Sequence, residues 1–303
     1  MKNFKFGAIL LVLIFGFSSA AVAAPRVELK SPDFSINYLS GSDQVTAGAL
    51  ISGSLLISST LENATTGYAS ADIASYSLDG IKQWDLPISN ESIAGPIAKD
   101  ATGNIYVLGA TVSANTAAVP APTQDPTVLN PDNVQTDPVT TPNNIISNLT
   151  IWKISSTGTL QQSFVLPINE AVIPKSITPN VNGFTIGANT KKQYLQVGLD
   201  LNGTFGTVLH PKQPKDIDLA QDFKLSSGKL KFFISTKSIV GIPSWKPKKP
   251  TPVLIQYSKF GQIKAANYFQ GSPKFIFFQP STGVIVGTEL TSGFGITIVK
   301  PLK

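Results

Sequence analysis

The chain of 303 residues contains no cysteine, one histidine and one methionine. Without cysteine there is no disulfide, no thiolate metal site and no lipid-modified cysteine. The lone histidine, His210, excludes a multi-histidine metal centre and an acid–base histidine pair. Residues 151–303 hold no arginine, the side chain that grips phosphates bidentately, and nucleic acid is therefore not an expected partner. Helical periodicity is missing beyond the N-terminal segment, and no later run is apolar enough over about 20 residues to cross a bilayer. No Gly-x-Ser-x-Gly precedes a helical pattern, which removes the commonest hydrolase elbow.

What is present begins with an export signal over residues 1–23. Lys2 and Lys5 form a basic start, residues 6–17 are nearly all apolar, and Ala21-Val22-Ala23 supplies a small-residue cleavage site. Cleavage after Ala23 would release a secreted or cell-surface chain beginning at Ala24. That chain is long enough to bury one large core, which it must do without disulfides.

The dominant pattern is a two-part motif that returns along residues 26–303. A strand-like run ends at a turn, as at Ser77-Leu78-Asp79-Gly80, and a second turn 22 to 25 residues later opens a branched apolar run. The paired glycines are Gly80/Gly103, Gly158/Gly183, Gly203/Gly228 and Gly261/Gly283, and a first copy runs from Pro32-Asp33 to Gly53. Self-similar units of this size indicate a solenoid, propeller or array. The units span about 26–62, 71–113, 148–190, 193–238 and 252–290. The clearest predicts four strands, at 73–78, 81–87, 93–99 and 104–112, rich in Ile, Val and Tyr between turn residues.

A final run at 294–301 resembles the start of a further unit that never continues. In a ring it can pair with the N-terminal segment and remove the exposed strand edges that invite aggregation. Two insertions interrupt the units. Residues 114–147, rich in Pro, Thr and Asn, lack any apolar period and are expected to be a mobile loop. A shorter basic loop over 241–252 carries Trp245, Lys246, Lys248 and Lys249. Trp245, flanked by Pro and Lys, is placed to stack on a sugar ring or dock a partner, and these four are the candidate ligand-binding residues. Trp84 and Trp152 lie in strand runs and are expected in the core.

Residues 97–109, Ile-Ala-Lys-Asp-Ala-Thr-Gly-Asn-Ile-Tyr-Val-Leu-Gly, resemble the repeats of exported bacterial β-propellers, including the seven-bladed propeller repeat family and its NHL-like relatives. The third unit keeps Gly183, Ile186 and Gly187 but has Pro179-Asn180 where the Asp turn belongs, and the fourth keeps only Gly228 and its apolar run. The resemblance implies four-stranded blades, here five from the countable units, closed by pairing of the N- and C-terminal segments. It implies fold more than activity.

Charge is divided along the chain. Residues 25–150 carry four basic and twelve acidic side chains, whereas 151–303 carry eighteen lysines and six acids. The basic half is either a solvated lysine face or a surface for an anionic partner such as cell-wall polymer or acidic polysaccharide, or for another surface protein. Glycosidases need paired carboxylates, and Asp72, Asp79, Asp85, Asp100, Asp200, Asp216 and Asp222 have the right chemistry. Asp79, Asp100 and Asp200, however, stand in turn motifs where the side chain bonds its own backbone. Neither Asp125, Asp132 and Asp137 nor Asp216, Asp218 and Asp222 has calcium-loop spacing, so no metal or cofactor is expected. The sequence therefore reads as an all-β, five-bladed, monomeric propeller serving as a non-enzymatic extracellular binding module. The alternative is a glycoside hydrolase-like enzyme using carboxylates at a central tunnel.

Overall fold

The turns expected at the paired glycines organise the strands. Gly80 donates its amide to the Ser77 carbonyl at 3.0 Å, Gly158 to Ser155 at 3.0 Å, Gly203 to Asp200 at 3.1 Å and Gly261 to Ser258 at 3.0 Å. All four glycines have positive φ, a conformation that a Cβ disfavours. The computed structural model describes residues 24–62, 67–113, 145–214, 219–239, 242 and 249–302. The export signal expected at 1–23 and residues 114–144 of the long insertion lie outside them. Every regular element among the described residues is a β-strand.

Two short strands, β1 (Arg26–Lys30) and β2 (Phe34–Asn37), open the chain and join sheets formed much later. The first sheet is an antiparallel meander of β3 (Gln44–Ile51), β4 (Ser54–Glu62), β5 (Ala69–Tyr76) and the first half of β6 (Lys82–Lys99). The second half of β6 starts the second sheet, which continues through β7 (Ile105–Val112), β8 (Ile146–Ile154) and β9 (Leu160–Pro167). The third sheet holds β10 (Val172–Asn180), β11 (Gly183–Thr190) and β12 (Tyr194–Asp200). Residues 205–209 run beside β12 and touch it through two isolated bridges.

The fourth sheet orders β13 (Gln221–Leu225), β14 (Gly228–Ser235), β15 (Thr251–Ser258) and β16 (Ile263–Phe269). Strand β1 then adds to the β16 edge in parallel, Arg26 opposite Ala265 and Glu28 opposite Asn267. The fifth sheet is β17 (Ser272–Gln279), β18 (Gly283–Leu290), β19 (Gly293–Val299) and β2. Strand β2 pairs antiparallel with β19, Phe34 opposite Ile296 and Asn37 opposite Gly293. The C-terminal run thus meets the N-terminal segment.

The sheets are offset by half a unit from the sequence repeat. Unit 71–113 gives β5 and the first half of β6 to the first sheet, and the rest of β6 with β7 to the second. The glycines mark turns within sheets, while hydrogen bonding between strands from successive units draws the sheet boundaries. Unit 26–62 is the exception, because its first part supplies edge strands to the fourth and fifth sheets.

Both faces of β7 and β18 are covered, which explains why they read as near-continuous apolar runs, whereas β14 leaves Lys229, Lys231 and Ile234 exposed. Ile51, Leu56 and Ile73 meet Val107, Trp152 and Ile154 between the first and second sheets. Tyr106, Leu149 and Ile151 meet Val172, Phe184 and Val197 between the second and third. Leu230, Phe232 and Leu254 meet Ile276, Val284 and Val286 between the fourth and fifth. Val45, Leu55 and Ile57 meet Phe275, Ile285 and Phe294, so the fifth sheet packs on the first. Among the described residues no apolar cluster joins the third sheet to the fourth. Trp152 takes the core position expected of it, at 2% exposure, over Gly109, where a Cβ would lie 2.1 Å from its ring.

A repeated latch holds the outer rim. An aromatic side chain on the outermost strand of one sheet covers a turn glycine of the next: Phe34 on Gly80, Trp84 on Gly158 and Phe164 on Gly203. A Cβ added at Gly158 would stand 2.5 Å from the Trp84 ring, whereas Gly261 has nothing within 4 Å. This difference is testable because both glycines have similar φ, +86° and +79°. Alanine at either site should cost about 1–2 kcal/mol in backbone strain, and overpacking against Trp84 should add about 1–3 kcal/mol at Gly158 alone. Urea unfolding of Gly158→Ala and Gly261→Ala measures the gap, and equal losses would show that the ring does not bear on the turn.

Candidate functional site

Trp245, Lys246 and Lys248 lie outside the described residues. Lys249 is exposed beside β15, where its carbonyl accepts a hydrogen bond from the Thr251 hydroxyl at 2.9 Å. His210 is exposed, its Nε2 3.5 Å from the Gln193 side-chain nitrogen. These residues form no cluster with one another among the described contacts.

The carboxylates are dispersed. Asp100 accepts the amides of Thr102 and Asn104 at 2.9 Å, and Asp200 accepts those of Asn202 and Thr204 at 2.9 and 2.7 Å. Both play the turn role that their motifs predict. Asp79 does not. In its turn the Ser77 hydroxyl takes that part, accepting the Ile81 amide at 3.2 Å, because Ser77 holds the first turn position and Asp79 the third. Burial raises the Asp100 pKa, but donors from Asn104 and Thr102 outweigh it and hold the group below its ordinary value. Asp222 is exposed on β13, and Asp216 lies outside the described residues. Asp72 and Asp85 share one face of the β5–β6 ladder, with Lys82 3.6 Å from Asp85. Burial, and then repulsion from Asp85, pushes the Asp72 carboxyl up.

A cavity of about 740 Å³, lined by neither Asp72 nor Asp85, opens between the fourth and fifth sheets at the meeting of the chain ends. Its position follows from chain connectivity. At three other junctions a covalent turn and its aromatic cover fill the outer rim. Here the third and fourth strands of the fifth sheet are β19 and β2, which no turn connects. The inner part of this interface is apolar, from Leu254 and Phe269 to Val286 and Val299. The outer part is polar. Arg26, Glu28 and Lys30 project from alternate positions of β1 toward Asp33, Lys300 and Asp79.

Several of these groups are already held. Glu28 is bridged by Lys30 and Arg26, and hydrogen bonds from Lys30 first, then Arg26, lower its pKa. The Asp33 carboxylate accepts the Ile298 amide at 2.6 Å, and its own amide bonds the Ile296 carbonyl at 2.8 Å. Gln256, 3% exposed, clamps the C-terminal tail by donating to the Leu302 carbonyl at 2.6 Å and accepting its amide at 2.8 Å. Asn267 differs. It lines the cavity at 8% exposure, and its amide has no hydrogen-bond partner among the described residues. Its side-chain oxygen and nitrogen remain in contact with the cavity space, where solvent or a ligand can bond them.

Sequence reasoning did not find Asn267, Gln256, Arg26, Lys30 or Lys300. The only signal pointing there was the incomplete final unit, which brings the chain ends together without specifying what surrounds them.

No family model matches the sequence, and no curated protein matches it. Among solved structures, the chain is similar to a Bacteroides caccae protein of unknown function, with 10% identity and a TM-score of 0.37, covering 77% of this chain and 89% of that one. It is also similar to the Pyrococcus horikoshii acylaminoacyl peptidase, with 11% identity and a TM-score of 0.29, covering 86% of this chain and 51% of the peptidase.

The raised pKa of Asp72 has a consequence for stability. A carboxyl that is harder to ionise when folded contributes fully below its unfolded pKa, near 3.9, and that contribution is lost as pH rises through the folded value. Asp72→Asn should therefore raise the melting temperature at pH 7 and change it little at pH 3. A variant no more stable than the parent at pH 7 would show that burial of the charge is relieved locally.

Proposed function

We propose that this chain is an exported five-bladed β-propeller that acts as a non-enzymatic binding module at the cell surface, with the cavity between the fourth and fifth sheets as its binding site. Five successive sheets, counting the seven-stranded run β3–β9 as two that share β6, together with the packing of the last on the first and the β2–β19 ladder, support the ring. The export signal at 1–23 supports the address.

The observation that carries the binding reading is the Asn267 side-chain amide, which makes no hydrogen bond to the described residues and opens onto the wall of a ligand-sized cavity. Small-molecule sites combine concavity with a few convergent polar groups. The enzymatic alternative receives less support, since Glu28 is committed to two cations and Asp33 to the β19 backbone. The lysine-rich half remains suited to an anionic surface polymer, but the cavity sets three carboxylates against its three cations.

Ring closure has a direct test. Truncation after Ser292 removes β19, with Phe294 and Ile296 fully buried and Val299 nearly so. At about 1.5–3 kcal/mol per buried side chain, the melting temperature should fall sharply and the open edge should drive oligomers. A monomeric truncation that melts with the parent would make a linear array the better description.

The binding reading is tested by following the Asn267 side-chain NH₂ resonances while adding trisaccharides, tripeptides and pyrophosphate in turn. At least one probe class should shift them in a saturable way and be recovered chemically intact. Absence of any shift overturns the site, and cleavage of the bound probe overturns the non-enzymatic reading.

A further inference from the structure

From the chemistry of its wall, we infer that the cavity between the fourth and fifth sheets takes a neutral saccharide of a few sugar units. This inference rests on the binding reading above and specifies its ligand.

Net charge is the first discriminator. Arg26, Lys30 and Lys300 stand against Glu28, Asp33 and Asp79. A phosphate, sulfate or uronic acid chain entering this space meets three carboxylates, and a polycation meets three basic groups. A neutral ligand meets no like charge. Hydroxyl groups both donate and accept, so a wall that alternates carboxylates, ammonium groups and amides can bond a polyol from several directions.

Asn267 is the second. Its carbonyl oxygen and NH₂ group offer an acceptor and two donors side by side, matched to adjacent hydroxyls on one ring. The amide makes no hydrogen bond to the described residues and faces the cavity, whereas the neighbouring Gln256 spends both of its ends on Leu302. Asp79 and Lys300 also have no hydrogen bond or ion pair from their side chains among the described residues, so they are available to a ligand.

Shape is the third. Phe34, Leu78 and Ile298 contribute apolar surface to the same cavity, and sugar rings present C–H faces as well as hydroxyls. The volume of about 740 Å³ lies within the usual range for small-ligand sites, about 300–1,000 Å³, and accommodates a short oligosaccharide.

The test is calorimetric titration of the mature chain with maltotriose, cellotriose and chitotriose, alongside trigalacturonic acid and trialanine, at 50 and 500 mM NaCl. At least one neutral trisaccharide should bind, with affinity changing less than about twofold between the two salt concentrations. Asn267→Leu should weaken it by about tenfold or more, as expected for lost hydrogen bonds. Asp79→Asn, an exposed turn position that does not threaten folding, should weaken it measurably. Binding of trigalacturonic acid or trialanine alone, weakened by Asn267→Leu, would overturn the neutral saccharide and leave the site standing. Saccharide binding indifferent to both substitutions would overturn the location, and no binding by any probe would overturn the inference together with the binding reading.

Discussion

The ladder between β2 and β19 joins residues separated by nearly the whole chain, and the arrangement of the other sheets depends on it. Asp33 anchors the junction twice, through its amide to Ile296 and through its carboxylate to the Ile298 amide, a contact spanning 265 positions. Closing so long a loop costs entropy, though that cost grows only slowly with length. The gain is concentrated where the ladder forms. It completes the fifth sheet, places Phe34 over Gly80, and presents Phe294 and Ile296 to the first sheet. Without it, the fifth sheet would lack its outer strand and the first sheet would lose the aromatic cover on its outer turn.

The same junction explains where a polar cavity can exist beside the apolar packing of the fourth and fifth sheets. Between the first three sheets, tight turns and bulky rings fill the rim, and glycine is required because the rings sit within 2.1–2.5 Å of where a Cβ would be. At the chain ends the rim is made instead of two termini, β1 and residues 300–302, which come from opposite directions. Termini do not pack like a hairpin. They leave space, and the residues bordering that space carry charges, amides and hydroxyls. The parallel attachment of β1 is part of this, because it directs Arg26, Glu28 and Lys30 to one face while Val27 and Leu29 remain on the other, largely exposed.

Some of this was legible from residues alone. The Asp100-x-Thr-Gly-Asn turn could be read because Asx turns are local, and the carboxylate finds its donors two and four residues on. Trp152 could be assigned to the core because it sits in an apolar run. The half-unit offset of the sheets could not be read, since a repeat has no intrinsic starting point and β6 crosses between two sheets without a turn signal. Asn267 was invisible for a different reason. An asparagine in Ala-Ala-Asn-Tyr-Phe looks like any strand residue until the neighbouring sheet fails to offer it a partner.

The sequence by itself determined the all-β class, the positions of the tight turns and the strand-forming runs, because glycine backbone freedom, side-chain branching and alternation act over a few residues. Tertiary structure alone decided which strands share a sheet, that β1 would run parallel to β16, and that Asn267 would be buried facing Arg26, Lys300 and Asp79 around an open space. The closing contacts join residues more than two hundred positions apart, Arg26 with Ala265 and Phe34 with Ile296, and no local propensity carries information over that distance.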